Sequence, residues 1–188
     1  MMIRRLVRVA PPVLLAVMAL GAPTAASASP APPERATITA LDYNSTGWKY
    51  RQVPSPSVVP GFQDPDFDDS GWSTGQAAFG TTTGCPFNAS VKTPWQPNTD
   101  ILVRHWLRIP RFAQDVRIQG TIDNDAQVYL NGRLLQTVRS GYCRANTIDV
   151  TVPQNVLERC NLLAIRGHDY GASTFLDVRV TYTRPGPA

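Results

Sequence analysis

The chain has 188 residues, 43% of them hydrophobic, and 18 Lys+Arg against 14 Asp+Glu give it a formal charge of +4. That length fits one domain or two small ones, and the composition excludes a disordered, highly charged tail protein while leaving enough apolar residues for a buried core. Seventeen Pro and thirteen Gly argue for many turns and few long helices, and sixteen Arg against two Lys point to a bacterial source.

Residues 1–28 read as an export signal. Arg4, Arg5 and Arg8 charge the start, residues 13–20 form a short apolar run, and small residues lead to Ala26-Ser27-Ala28, an A-x-A cleavage site. The run is too short to cross a hydrocarbon core about 30 Å thick. A secreted, extracellular protein without a membrane span is therefore expected. Setting aside the three Arg of this segment leaves 15 basic residues against 14 acidic ones, scattered singly. A nucleic-acid partner, which calls for a basic face, is set aside with them.

Residues 29–35, SPAPPER, look like a short Pro-rich linker. From residue 36 to 183 short apolar runs alternate with turn signals, with a tail over 184–188. Strands are expected over 37–41, 48–52, 101–109, 115–122, 126–130, 133–138, 147–152, 162–167 and 175–183. Val116, Ile118 and Ile122, then Ile148, Val150 and Val152, show the period of two that marks a strand with one buried face. Asn131-Gly132 is a hairpin signal, because a type I′ turn needs positive φ at both central residues. One helical turn is expected near 153–158. Many short strands with spaced turns suggest an all-β sandwich or barrel. The segment from 66 to 100 reads as mostly loop, of a length that is either functional or pinned.

Cys85, Cys143 and Cys160 all follow the export signal. Export favours a disulfide, and three cysteines leave one over. Cys85–Cys143 is favoured, since a bridge to the long loop removes the most freedom; Cys143–Cys160 is the close rival. With no C-x-x-C and two distant His, a Cys/His metal site is a poor reading.

Four segments then occur in a familiar order: Gly47-Trp48-Lys49-Tyr50; Phe67-Asp68-Asp69-Ser70-Gly71-Trp72 followed by Phe79-Gly80; Thr121-Ile122-Asp123-Asn124-Asp125-Ala126-Gln127-Val128-Tyr129-Leu130-Asn131-Gly132; and Asn161-Leu162-Leu163-Ala164-Ile165-Arg166-Gly167-His168-Asp169. Together, over roughly residues 45–183, they resemble the galactose-binding-domain-like jelly roll. The chain is similar to the sugar-binding domains that precede the catalytic barrel of family-two glycoside hydrolases, and to accessory modules of secreted bacterial proteins. The resemblance implies an antiparallel jelly-roll β-sandwich. It does not fix a function, because this fold hosts glycan binding, other ligands and purely structural roles.

Beside the resemblance, Phe67 and Trp72 are read as wedging a loop onto the sandwich, and Asp68 and Asp69 as forming caps or Asx-turns. Sugar recognition needs polar groups that bond hydroxyls and an aromatic face that stacks on C–H groups. In the domains resembled, the site lies where loops meet at one end of the sandwich. The matching loops supply Trp95, Asp123, Asp125, Tyr142, His168 and Tyr170 as candidate ligand-binding residues, and a Trp95→Ala change is expected to weaken binding without unfolding. Structural calcium is a further possibility, drawn from Asp64, Asp66, Asp68 and Asp69 and from Asp123-Asn124-Asp125, though neither stretch has EF-hand spacing. No other cofactor is expected.

Catalysis is not expected. Glu34 and Glu158, the two Glu of the chain, lie in the linker and near a turn, so they offer no acid–base pair for a glycosidase, and there is no G-x-S-x-G elbow. The expected function is non-catalytic recognition, with a carbohydrate or cell-surface glycan as partner. The rival is a structural or protein-interaction module of an exported assembly that binds no sugar.

Overall fold

Residues 35–57 and 59–184 are described by a computed structural model; the expected export signal, linker residues 29–34 and tail residues 185–188 lie outside the described residues. The alternating segments form β1 (Thr37–Leu41), β2 (Trp48–Pro54), β6 (Thr99–Leu107), β7 (Gln114–Asp123), β8 (Asp125–Leu130), β9 (Arg133–Arg139), β10 (Ile148–Thr151), β11 (Asn161–His168) and β12 (Phe175–Thr183). These are the nine strands expected from the sequence, with ends shifted by a few residues. Asn131 and Gly132 carry φ of 51° and 79°, as the type I′ hairpin requires. The expected helical turn is a short 3₁₀ turn, Gln154–Val156.

With three short strands, β3 (Ser73–Gly75), β4 (Phe79–Gly80) and β5 (Thr93–Pro94), the described residues form two six-stranded sheets. One has the order β10-β7-β12-β4-β5, with β1 also on β12; the other runs β3-β2-β6-β11-β8-β9. The chain is an all-β sandwich. Its main core lies between the sheets and is built from one face of each strand: Ile118 and Ile122 of β7, Val128 of β8, Val103 of β6, Ile165 of β11, and Val178 and Val180 of β12, all at 1% exposure or less. The chain contains no helix among the described residues that is long and apolar enough to cross a membrane.

The segment read as mostly loop holds the three short strands β3, β4 and β5. Strands of two or three residues show no alternation, and Gly75, Gly80 and Pro94 mask them further. The intervening stretch is pinned twice. Cys85 is disulfide-bonded to Cys143 across 58 residues of sequence, the pairing favoured above, and Cys160 is free and exposed. Asn88, at 1% exposure, donates Nδ2–H bonds to the carbonyls of Thr81 (2.7 Å) and Thr174 (2.9 Å) and accepts the Cys85 N–H at 3.0 Å.

A second, smaller core sits on the outer face of the β3-β2-β6-β11-β8-β9 sheet. Phe62 and Trp72 pack there on Leu102 and Ala164, with Phe67 and Tyr129 beside them. Trp72 and Phe67 thus fasten the 59–72 loop to the sandwich, as read from the sequence. The organiser of this loop is Arg104, which alternation places on the outer face of β6 beside Leu102. At 2% exposure its guanidinium donates to Asp69 Oδ2 (2.7 Å), to the carbonyls of Phe62, Asp64 (2.9 Å) and Phe67 (3.2 Å), and lies 5.3 Å from the centre of the Phe67 ring. Asp68 forms the expected Asx-turn, accepting the Ser70 N–H at 2.9 Å. Asp69 serves Arg104 instead.

On the other sheet, Asp177 of β12 is 5% exposed and accepts the N–H groups of Asn44 (3.1 Å) and Val178 (2.9 Å). Burial outweighs those bonds and raises its pKa to about 6. A carboxyl raised in the folded state contributes stability below its unfolded pKa and loses it as pH climbs through the folded value. At about 1.4 kcal/mol per pKa unit, ionised Asp177 costs the fold about 3 kcal/mol above about pH 6. Asp177→Asn keeps one acceptor and removes that charge. In urea unfolding it should be more stable than wild type at about pH 7.5, with the advantage gone at about pH 4; a difference independent of pH would contradict this reading.

Candidate functional site

The register of β6, β8 and β11 decides what the outer sheet face presents. His168 pairs with Asp100 of β6 on one side and Asp125 of β8 on the other. With a period of two, Arg166 and His168 of β11 project outward together, beside Asp125, Gln127 and Tyr129 of β8, while Ile165 and Gly167 turn inward. On β9, Thr137 and Arg139 lie opposite Gln127 and Asp125. The fastened loop forms the opposite wall.

These residues line a groove along the outer face. Its part near His168, about 220 Å³, is bounded by Pro56, Asp125, Gln127, Thr137, Arg139, Arg166 and His168. It continues through Gln127 and Arg166 into a second part of about 190 Å³ that reaches Tyr129, Leu102 and residues 59–63 of the loop.

The floor is held from below. Asp100, fully buried, accepts the Arg166 Nε–H at 2.6 Å through Oδ2 and contacts His168 Nδ1 at 2.6 Å through Oδ1. One buried carboxylate therefore fixes two groove side chains, which keeps their remaining donors and acceptors aimed outward without further ordering cost. At the mouth, Tyr170 stands beside His168, with ring centres 5.5 Å apart, and its hydroxyl donates to Asp125 Oδ1 at 3.4 Å. Partial desolvation, and then the nearby Asp125 charge, raise the Tyr170 phenol above its ordinary value.

The structure sorts the sequence candidates. Asp125, His168 and Tyr170 come together at the groove mouth. Tyr142 is exposed at 65%, next to Gly141, whose position approaches the Tyr170 hydroxyl. Trp95 and Asp123 do not lie on that rim. Trp95 is 1% exposed, its indole lies over Gly167 of β11 where a Cβ would sit 2.9 Å from it, and its N–H bonds Thr99 Oγ1 at 3.1 Å. It is a core residue, because the loop that carries it folds inward over the bare Gly167 backbone. Asp123 is 3% exposed and accepts the Ser173 hydroxyl at 3.0 Å. Asp100, Gln127, Arg139 and Arg166 were missed. Arg166-Gly167-His168 was the legible signal, two polar side chains on one face of an otherwise apolar strand; Asp100 needs the long-range register to be found.

Among the described residues, neither acidic stretch offered for calcium brings three carboxylates together. Asp69 is bound to Arg104, Asp68 closes its own turn, Asp123 accepts the Ser173 hydroxyl and Asp125 the Tyr170 hydroxyl. Among the described residues, one group brings three candidate ligand atoms together, Cys85, Asp123 and Cys143. Two of these are the joined sulfurs of the disulfide, which have no thiolate to offer.

The site also contains Ser55, His168 and Asp100. Ser55 Oγ lies 2.9 Å from His168 Nδ1, the ring atom that Asp100 also contacts. A nucleophile relay needs the serine on one ring nitrogen and the carboxylate on the other. Here both oxygens address the same ring position, and flipping the ring moves both together. Three carboxyls have the raised pKa useful to a general acid, and all owe it chiefly to burial: Asp177 on the other sheet, and Asp123 and Asp169, which are 3% and 1% exposed. None of the three lines the groove.

No protein-family model matches the chain, and no curated protein matches it in sequence. Solved structures do match. A glycosyl hydrolase family 2 member from Bacteroides cellulosilyticus aligns over 79% of this chain with a TM-score of 0.54 at 14% identity. A β-glucuronidase from Ruminococcus gnavus aligns over 82% with a TM-score of 0.54 at 11% identity. A calcium-binding mutant of Bacteroides uniformis beta-glucuronidase 2 aligns over 80% with a TM-score of 0.52 at 19% identity. The chain spans 21%, 31% and 18% of those proteins. At such identities the likeness establishes the fold: this chain is a β-sandwich similar to one part of family-two glycoside hydrolases, as the motifs implied.

Proposed function

We propose that the chain is a non-catalytic carbohydrate-binding module of an exported protein, and that the outer-face groove is its binding site. The observation that carries this reading is the pair of polar groove side chains, Arg166 and His168, held by one buried carboxylate, with Tyr129 along the groove and Tyr170 beside His168. Fixed polar groups beside aromatic faces are what hydroxyl-rich rings require. The groove is open along the sheet, so a chain of sugars can lie in it. A non-catalytic role is supported by the groove's lining, in which Asp125 is a lone carboxylate where a glycosidase uses two, and by the small share of the family-two enzymes that the chain spans. Export rests on the sequence of residues 1–28.

Gln127 and Arg139 test the site, because neither supports the core. Against cello-, xylo-, manno- and galacto-oligosaccharides, wild type should bind one class. Gln127→Ala and Arg139→Ala should each weaken it about 10-fold, or about 1.4 kcal/mol, with unfolding midpoints unchanged. Unaltered affinity in both variants would contradict the groove as the site. A wild type that binds no glycan would leave the structural or protein-interaction module as the better account.

A further inference from the structure

The end of the sandwich remote from the His168 mouth is built from two strand junctions. Leu107 at the end of β6 pairs with Asn161 at the start of β11, so the residues after the one and before the other meet. The chain places Arg108, Pro110, Arg111 and Phe112 on one side and Arg159 and Cys160 on the other. Two adjoining grooves lie there, of about 440 and 450 Å³, sharing Ile109, Pro110 and Arg159. Arg111 and Phe112 complete the first, Arg108 and Cys160 the second.

Arg108, Arg111 and Arg159 are exposed and make no ion pair among the described residues, in contrast with Arg104, Arg117 and Arg166. Glu158, next to Arg159, and Asp115, three residues beyond Phe112, are the carboxylates nearest in sequence. Phe112 is 63% exposed beside them, the largest apolar side chain lining either groove. Three free guanidiniums along two adjoining grooves call for a partner that repeats negative charge, and planar guanidinium pairs best with carboxylate-type oxygens. An exposed ring in the same groove as Arg111 and Arg159 calls for a partner with apolar C–H faces. The concave shape suits a chain laid along it more than a flat surface pressed on it.

We infer that this end is a second binding surface, for a linear acidic polysaccharide whose carboxylates meet Arg108, Arg111 and Arg159 and whose sugar faces meet Phe112. This surface is independent of the outer-face groove and stands or falls separately from it.

The free thiol of Cys160 reports occupancy, because it lines the second groove and is exposed. The full chain is titrated at low salt with polygalacturonate, with poly-L-glutamate, and with phosphatidylcholine vesicles doped with phosphatidylglycerol. Polygalacturonate should bind at least about 10-fold more tightly than either alternative, and R108Q/R111Q/R159Q should lose about 10-fold. A control with equal charge change, R51Q/R179Q/R184Q, should lose less than about 2-fold, and Phe112→Ala should cost about 5-fold. Bound polygalacturonate should slow maleimide alkylation of Cys160. The inference is overturned if polyglutamate or the vesicles bind as tightly, if both triple variants lose equally, or if Cys160 is alkylated at the same rate with and without polygalacturonate. Loss of glycan binding in Gln127→Ala with polygalacturonate binding intact would separate the two surfaces.

Discussion

Arg104→Ala should destabilise the protein by about 3–5 kcal/mol and release the 59–72 loop from the sheet. The guanidinium is fully enclosed and serves one carboxylate and three carbonyls, those of Phe62, Asp64 and Phe67. Removing it leaves Asp69 without its counter-charge and three inward carbonyls without donors, and an unsatisfied buried group costs about 1–3 kcal/mol on its own. Arg104→Lys keeps the charge but has no fork to reach four acceptors at once, so it should recover less than half of the loss. Because the same loop walls the groove, binding should fall with stability. Urea unfolding gives the first quantity, and proteolysis within residues 59–72 gives the second. A wild-type unfolding curve for Arg104→Ala would remove Arg104 as the organiser.

Trp95→Ala is expected to cost about 3–5 kcal/mol, the range for deleting a large buried ring. It should leave the affinity of the folded fraction for glycan unchanged. This reverses the expectation drawn from the sequence. The indole fills the space over Gly167 and bonds Thr99, and its own carbonyl accepts the Thr174 hydroxyl at 2.7 Å. The truncation therefore opens a cavity between two strands and a loop. Chemical unfolding checks the stability. A folded, equally stable Trp95→Ala protein with weakened binding would restore Trp95 to the binding surface and contradict its place in the core.

How far the sequence could be read depended on how local each signal was. Period-two alternation in β7 and β10 and the Asn131-Gly132 turn are local, and all three were legible. The turn's Asn also does non-local work that was not: Asn131 Oδ1 accepts the Leu162 N–H at 2.8 Å and its Nδ2 donates to Asn161 Oδ1 at 3.0 Å, tying the hairpin to β11. The disulfide was legible because a long loop needs a tether. Trp95 was misplaced because a Trp between Pro94 and Pro97 looks like a loop-tip aromatic. The bare surface of Gly167, 72 residues further along the chain, makes room for it inside.

The site was half legible for the same reason. Asp125 and His168 lie within motif segments and Tyr170 directly follows one, and they do converge. The groove itself lies on a sheet face rather than among the end loops, because the 59–72 loop walls that face and Arg104 fastens it. An Arg within the apolar run of residues 101–107 was the sequence trace of that arrangement. A buried Arg earns notice, since such a residue stays buried only when its charge is met.

The central claim is that the outer-face groove binds carbohydrate. It is tested most directly by titrating the ¹⁵N-labelled full chain with the oligosaccharide class that wild type binds and mapping the backbone shift changes. Changes concentrated at Asp125, Gln127, Thr137, Arg139, Arg166 and His168 are predicted. Changes confined to residues 81–99 and 171–174, with the groove silent, would contradict it.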